Sequence, residues 1–335
     1  MTFDIRIVGS DIVLPCGVGE TVLDAAERAG YSIPYSCRKG VCSTCEGLLA
    51  DGCADVGQQR MRGPRDGVLL CRAKPASDVA IAPKRIEKRN PLARKRITAT
   101  VYRIRRPAPD VVILQLRFPA GTRGKFRAGQ YLRVMMPDGD SRNFSMANPP
   151  HENDGVTLHI RHVPGGRFSE DVLASLSFGN KLEVELPFGE FFLRESAAKP
   201  IVLIATGTGF APIKSIVEDM IRRDVRWPTR LYWGARAERD LYMPQLITKW
   251  SAQAGWLEIT LVLSDGAAGW QRRTGLVHRA VLDDTPDLAR HQVYACGNPF
   301  MIDAARRDFR RAGKLPDNEF YADPFVASGD QASGI

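Results

Sequence analysis

The sequence predicts a multi-domain chain of mixed class, α+β followed by α/β: a small β-grasp module, an antiparallel β-barrel and a doubly wound parallel sheet. Three observations carry this. Three cysteines, Cys37, Cys42 and Cys45, crowd into one loop of a segment that otherwise reads as short strands around one helix. Residues 97–196 hold several β-rich runs separated by glycine and proline turns, as a barrel does. From Pro200 onward, continuous apolar runs alternate with helical segments, the pattern of parallel strands buried on both faces. The division that follows is 1–82, a basic linker 83–96, 97–196 and 197–335.

Residues 1–14 read as two alternating strands around Gly9-Ser10, and the opening Met-Thr-Phe-Asp-Ile-Arg-Ile is patterned as strand, not as a signal peptide. Thr21 has the character of an N-cap, with Asp24 as the capping-box acid and Gly30 as the stop. Val22, Leu23, Ala25, Ala26 and Ala29 give the intervening helix its apolar face.

The loop reads Cys37-Arg38-Lys39-Gly40-Val41-Cys42-Ser43-Thr44-Cys45, a C-x4-C-x2-C spacing, with Cys71 following the apolar run Val68-Leu69-Leu70. Four thiolates so arranged are the plant-type [2Fe–2S] ligand pattern, three sulfurs from one wrapping loop and the fourth delivered by a strand. The competing reading is a four-cysteine zinc site, but structural zinc usually takes its thiolates in two close pairs. A disulfide framework suits short secreted chains instead. Cys16 and Cys53 fall off the spacing and read as ordinary residues.

Residues 83–96 carry seven basic side chains against one acid, and two prolines. Like charges and proline keep such a stretch extended and poorly packed. In the barrel segment, Ile97–Arg105, Val111–Phe118, Tyr131–Met135, Val156–His162 and Lys181–Leu186 suit strands. Two pieces there carry chemistry. Arg142-Asn143-Phe144-Ser145-Met146 offers a guanidinium fork for phosphate, a flat apolar face and a hydroxyl. His159-Ile160-Arg161, followed by Gly165-Gly166-Arg167-Phe168-Ser169, places two glycines before a helix start, where backbone amides would face a pyrophosphate. Beyond Pro200, the run Ile201–Ala205 leads into Thr206-Gly207-Thr208-Gly209 and a helix from Pro212 to Arg223. That junction is where a doubly wound sheet takes a nucleotide. Pro212 stands where a third glycine of G-x-G-x-x-G would be, so the standard fingerprint is absent. Cys296-Gly297-Asn298-Pro299 ends another strand at the same edge. Asn298 caps the last helix, which closes at Gly313.

Composition removes whole classes. Hydrophobic (44%) and charged (25%) fractions are those of a folded globular chain, and no apolar stretch reaches the length of a membrane span. The net charge of +9 comes from basic residues spread along the chain without the interleaved aromatics of a nucleic-acid platform. Neither nucleic acid nor membrane is expected as a partner, and seven cysteines fit a reducing cytoplasm. Five histidines, none at Rieske spacing with cysteine, exclude an oxygenase centre in this chain.

The order of these pieces, through to Phe320-Tyr321-Ala322-Asp323-Pro324-Phe325, resembles the one-chain reductases of bacterial aromatic-ring oxygenases, built as ferredoxin, FAD domain and NAD domain. The resemblance implies a [2Fe–2S] cluster on Cys37, Cys42, Cys45 and Cys71, with FAD and NADH as the other cofactors. It implies flavin contacts from Arg142 to Met146, with Arg142 on phosphate, Phe144 packed on the flavin and Ser145 near its N5. Phe144 stands where the family has tyrosine. His159, Ile160, Arg161 and Gly165 to Ser169 join that set, with Gly166, Arg167 and Ser169 on the pyrophosphate. Gly207, Thr208 and Gly209 become the NAD loop, Cys296 and Gly297 flank the nicotinamide, and Phe325 covers the flavin. Ser145 and Cys296 are the residues expected at the hydride-transfer step. Arg236, after Gly234-Ala235, leaves NADPH open beside NADH, because an arginine there can meet a 2′-phosphate. Partners implied are a terminal oxygenase, of Rieske type, or an intermediate ferredoxin. Other readings are a reductase for a di-iron monooxygenase or a deoxysugar dehydrase, a redox sensor, and a zinc-stabilised binding module.

Overall fold

Thr2–Ile7 (β1) and Val13–Gly17 (β2) form the expected hairpin, paired from Thr2 with Gly17 to Arg6 with Val13. The helix Val22–Arg28 (α1) follows. Thr21 caps it as the spacing predicts, its hydroxyl oxygen accepting from the Asp24 amide at 3.1 Å while its proton goes to the Asp24 carboxylate at 2.7 Å. Short strands then succeed one another: Tyr31–Ser32 (β3), Glu46–Asp51 (β4), Cys53–Val56 (β5), Gln59–Arg62 (β6), Arg65–Leu69 (β7), Ala73–Pro75 (β8), Val79–Pro83 (β9) and Glu87–Lys88 (β10). The main sheet runs β2-β1-β9-β4-β7, and β1 lies parallel to β9 in an otherwise antiparallel set. Val22, Leu23, Ala25 and Ala26 of α1 are buried together with Ile5, Leu14, Leu49, Val68 and Ile81 from the sheet. This is the β-grasp arrangement.

The structure, a computed structural model, describes residues 2–40, 43–88, 92, 94–195, 198–266 and 269–326. The chain divides into two units, Met1–Leu92 and Ala93–Ile335. The stretch 83–96 differs from the extended, unpacked segment its charge suggests. Its first half is held by backbone pairing, Glu87 with Ser32 and Lys88 with Tyr31, which main-chain hydrogen bonds provide whatever the side-chain charge.

The second unit opens with Lys95–Ala108 (β11), Val111–Arg117 (β12), Tyr131–Met135 (β13), Ser141–Ser145 (β14), Gly155–Arg161 (β15) and Lys181–Phe188 (β16). They form one antiparallel sheet, ordered β14-β13-β16-β11-β12-β15. A bridge between Met146 and Leu158 joins its two edges and closes the barrel. Leu114, Leu132, Met146, Leu158 and Val184 are fully buried inside it. A three-residue helix, Leu173–Ser175 (α2), lies between β15 and β16.

The rest is a parallel sheet in the order β20-β19-β18-β17-β21-β22. It is built from Ile201–Thr206 (β17), Thr229–Ala235 (β18), Leu257–Leu263 (β19), Arg273–Thr274 (β20), Gln292–Gly297 (β21) and Phe320–Pro324 (β22). Helices Phe210–Arg222 (α3), Pro244–Gln253 (α4), Val277–Asp284 (α5) and Pro299–Arg311 (α6) cover it. Alternate residues of β17 explain the continuous apolar run. Ile201, Leu203 and Ala205 join the α3–α4 core, and Val202 and Ile204 join the α5–α6 core. The α3–α4 core continues through Val111, Ile113 and Phe191 of the barrel, so barrel and sheet share one apolar seam.

Candidate functional site

The cysteine loop leaves β3 and returns into β4. Cys45 immediately precedes β4, Cys71 follows just after β7, and the two strands pair Glu46 with Leu69. The Leu70 amide donates to the Cys45 carbonyl at 3.1 Å. Two of the four expected ligands therefore stand at one end of one strand pair. Cys37, Cys45 and Cys71 are 9%, 2% and 6% exposed. Cys42 lies outside the described residues. The loop backbone is left-handed at Arg38 (φ 55°), Gly40 (φ 80°) and Ser43 (φ 51°), a conformation that non-glycine residues adopt only when something holds them there. Arg38 is held by Asp24 at 2.7 Å and by Glu27, and lies over the Tyr35 ring at 4.5 Å. The Lys39 amide donates to Cys37 Sγ at 3.3 Å, as loop amides do toward a cluster-ligating sulfur. Buried thiols with a backbone donor in a tightly wound loop fit a sulfur-ligated cluster.

In the second unit, the two arginines expected on phosphate meet at one corner. Arg142 pairs with Asp140, and Arg167 with Asp138 at 2.7 Å, both aspartates belonging to the turn between β13 and β14. Phe144 packs on Phe168 with centroids 4.7 Å apart, tying β14 to the Gly165–Ser169 segment. Asn143 stands on β14 opposite Arg133. Met146 and Ile160 point elsewhere: both are buried in the barrel core. The Gly165 and Gly166 amides also differ from expectation. Gly165 donates to Glu170 at 2.9 Å and Gly166 to the Val163 carbonyl at 2.8 Å, because Ser169 Oγ closes a tight turn on Val163. Those amides serve the loop itself.

The carboxyl edge of the parallel sheet gathers the remaining candidates. Gly207–Gly209 is a helical turn running straight into α3, which begins at Phe210, earlier than the Pro212 the sequence suggests. A Cβ at Gly209 would fall 2.4 Å from the Cys296 carbonyl oxygen, so this loop and the Cys296-Gly297 turn touch backbone to backbone. Gly297 adopts φ 121°, and a Cβ there would meet Thr206 Oγ1 at 2.3 Å. Thr208 is buried, Arg161 reaches over Gly207 from the barrel, and Arg236 is exposed just beyond β18. The Phe325 amide donates to the Gly297 carbonyl at 2.8 Å. Backbone contact of this kind brings two glycine-bearing loops together at the strand ends, the place where a doubly wound sheet takes a dinucleotide.

Three residues outside the sequence-based set complete the site. Asp323, 6% exposed, accepts from Ser145 Oγ at 3.4 Å through its carboxylate and from Cys296 Sγ at 3.1 Å through its carbonyl. Burial, then the Asp323 charge, pushes the Cys296 thiol well above the ordinary range, so it stays protonated. Thr206 accepts the Asn298 amide at 2.8 Å. Tyr242 bonds His159 Nδ1 at 2.9 Å across the seam, and His159 Nε2 is buried with no hydrogen-bond partner among the described residues. The sequence signals Asp323 by its place in the run ending at Phe325 and Thr206 by its place in the loop before Gly207; Tyr242 carries none.

Burial, then the charges of Lys214 and Arg105, lowers His159 from 6.5 to about 3. Its folded pKa is below its unfolded one, so its stabilising neutrality is present above pH 6.5 and lost as pH falls toward 3. The expected slope is about 1.4 kcal/mol per pH unit. His278 and His291 shift the same way through burial. All five tryptophans lie between 227 and 270, so urea unfolding followed by tryptophan fluorescence reports this region. The midpoint is expected to fall between pH 6.5 and 5, with a shallower fall in His159→Gln.

Residues 5–76 match the family described as 2Fe-2S iron-sulfur cluster binding domain, 99–193 the oxidoreductase FAD-binding domain and 203–307 the oxidoreductase NAD-binding domain. The fold and site thus define an electron-transfer oxidoreductase with iron–sulfur, flavin and nicotinamide domains on one polypeptide. Reductase component 1 of terephthalate 1,2-dioxygenase from Comamonas sp is 44% identical over 98% of each chain. The reductase of CDP-6-deoxy-L-threo-D-glycero-4-hexulose-3-dehydrase from Yersinia pseudotuberculosis is 34% identical over 98% of this chain and 100% of its own. Among solved structures, the Amycolatopsis cytochrome P450 reductase superposes with a TM-score of 0.79 at 28% identity, covering 98% of this chain and 100% of its own. The chain belongs to the family of one-chain ferredoxin–FAD–NAD reductases.

Proposed function

We propose that this chain is the reductase of an aromatic-ring dioxygenase system, drawing electrons from NADH for a terminal oxygenase of Rieske type, directly or through an intermediate ferredoxin. The carrying observation is 44% identity along the whole chain to terephthalate 1,2-dioxygenase reductase, which makes a terephthalate-like acid the proposed substrate of the partner. The lower identity, 34%, to the deoxysugar dehydrase reductase ranks that reading second. Among the described residues no helix is long and apolar enough to cross a membrane, and the proposed place of action is the cytoplasm.

In this reading Cys37, Cys42, Cys45 and Cys71 hold the cluster, at the end of a domain taken as 1–82 with 83–96 as linker. Arg142 and Arg167 hold flavin phosphates in the barrel, 97–196, where Phe144 and Ser145 border the ring. In 197–335, Gly207, Thr208 and Gly209 receive the dinucleotide phosphates, Cys296 and Gly297 flank the nicotinamide, and Phe325 covers the flavin. Bound, FAD accepts a hydride from NADH and releases electrons singly, and the cluster carries them one at a time. The protein's share is placement. Cys296, kept as a thiol and fixed on the Asp323 carbonyl, is a wall and not a nucleophile. Ser145 keeps its hydroxyl proton on Asp323 Oδ2, a path by which a proton leaves or enters at Ser145 Oγ.

The test is the visible spectrum of the purified protein before and after anaerobic NADH. Flavin and broad cluster bands that both bleach are expected, as is NADH oxidation coupled to terephthalate consumption when a terephthalate oxygenase component is added. A colourless protein overturns the reading.

A further inference from the structure

We infer that the rim of the cysteine loop is a basic docking surface for a protein electron acceptor whose own redox centre is ringed by carboxylates. This rests on the cluster reading above.

Residues 37–46 and 69–74 contain four cations, Arg38, Lys39, Arg72 and Lys74, against a single acid, Glu46. Local pairing offsets much of the negative charge that lies nearby. Arg38 turns inward and engages Asp24 and Glu27 of α1, with its side chain only 13% exposed. Glu46 is covered by Lys84: Pro83 of β9 pairs with Gly47 of β4, which sets Lys84 beside the loop. Its Nζ lies 3.3 Å from the Glu46 carboxylate and 3.4 Å from the Ser43 carbonyl. Lys39 and Arg72 remain exposed. The Arg72 stem crosses the loop so closely that a Cβ at Gly40 would come 3.0 Å from its Cγ. The same basic stretch goes on to Lys88, on the strand that pairs with β3, the strand feeding the loop. Exposed Arg72 beside Cys71, Lys39 on the loop and Lys84 over Glu46 therefore give the rim more cations than acids.

Charge of one sign at a redox edge steers the encounter and fixes the orientation of a partner of opposite sign. The second unit carries net charge of the same sign, 34 Lys and Arg against 27 Asp and Glu over residues 93–335. An acidic protein from another molecule is the better complement, and electron delivery requires that it hold a redox centre.

The test uses the full holoprotein with NADH and two probe acceptors, cytochrome b5 as an acidic haem protein and cytochrome c as a basic one. Wild-type kcat/KM for cytochrome b5 is expected to fall about tenfold between roughly 20 and 200 mM ionic strength. Arg72→Glu and Lys84→Glu are each expected to lower it about fivefold at low salt and to raise the rate with cytochrome c. Equal losses with both acceptors overturn the proposal. So does a loss confined to the internal flavin-to-cluster step in stopped flow, which would give the rim to the chain's own second unit. A protein lacking cluster absorbance would instead refute the cluster assignment, before any acceptor is added.

Discussion

Cys71→Ser is expected to reduce electron delivery to one-electron protein acceptors to below about 1% of wild type, while NADH still reduces the flavin within about twofold. The substitution is nearly isosteric. Leu70, beside it, donates its amide to Cys45 and accepts the Leu23 amide at 3.2 Å through main-chain atoms that serine leaves in place. The hydride-handling residues all lie in Ala93–Ile335, a separate unit from the cysteine loop. The loss thus tracks the missing ligand. Iron content, the broad visible absorbance and cytochrome c reduction measure it together. Cys16→Ser is the control. Cys16 is buried, burial pushes its thiol up to about 11, and it donates to the Glu20 carbonyl at 3.6 Å. Its replacement is expected to keep the cluster. Full cluster absorbance in Cys71→Ser would remove that residue from the ligand set.

What the sequence makes legible is whatever one segment carries alone. The C-x4-C-x2-C loop, the capped helix after Thr21 and the apolar run at Ile201 each announce themselves by spacing or period. Pairings between distant segments do not. That Val79–Pro83 lies parallel to β1 follows from closing a sheet over α1, and nothing in either strand specifies it. β14 escaped notice as a strand because four of its five residues are only half-buried, which erases the alternation. β22 escaped because Asp323 and Pro324 interrupt its apolar pattern.

The site shows the same division. Glycines at 207, 209 and 297 were visible as an open backbone, but their reason is a contact between two loops almost ninety residues apart. Arg142 and Arg167 each read as a phosphate ligand on its own segment alone. Their convergence depends on Asp138 and Asp140, which in sequence are only turn residues. Gly165 and Gly166 misled because a glycine pair before a helix has the same composition whether its amides face a ligand or close their own turn.

Gly209→Ala is expected to lower kcat/KM for NADH by about 100-fold, with flavin and cluster spectra retained. The backbone at Gly209 has φ −57°, which any residue adopts, so the penalty is steric alone. The new methyl would sit 2.4 Å from the Cys296 carbonyl oxygen, 2.6 Å from its carbon and 2.7 Å from Gly297 Cα. All three are main-chain atoms that cannot rotate aside. Gly297 is pinned by Phe325 on one side and by Thr206 through Asn298 on the other. α3 is anchored by Phe210, Ile213 and Ile216 in the core. Relief therefore requires the two nucleotide loops to part by roughly 1 Å, a displacement large enough to misplace a reacting nicotinamide. Reduction by dithionite, which needs no nicotinamide, is expected to proceed at the wild-type rate. Gly255→Ala, where a Cβ meets nothing within 4 Å, is expected to stay within about twofold. Wild-type kinetics in Gly209→Ala would mean that the contact between these loops does not set the position of NADH.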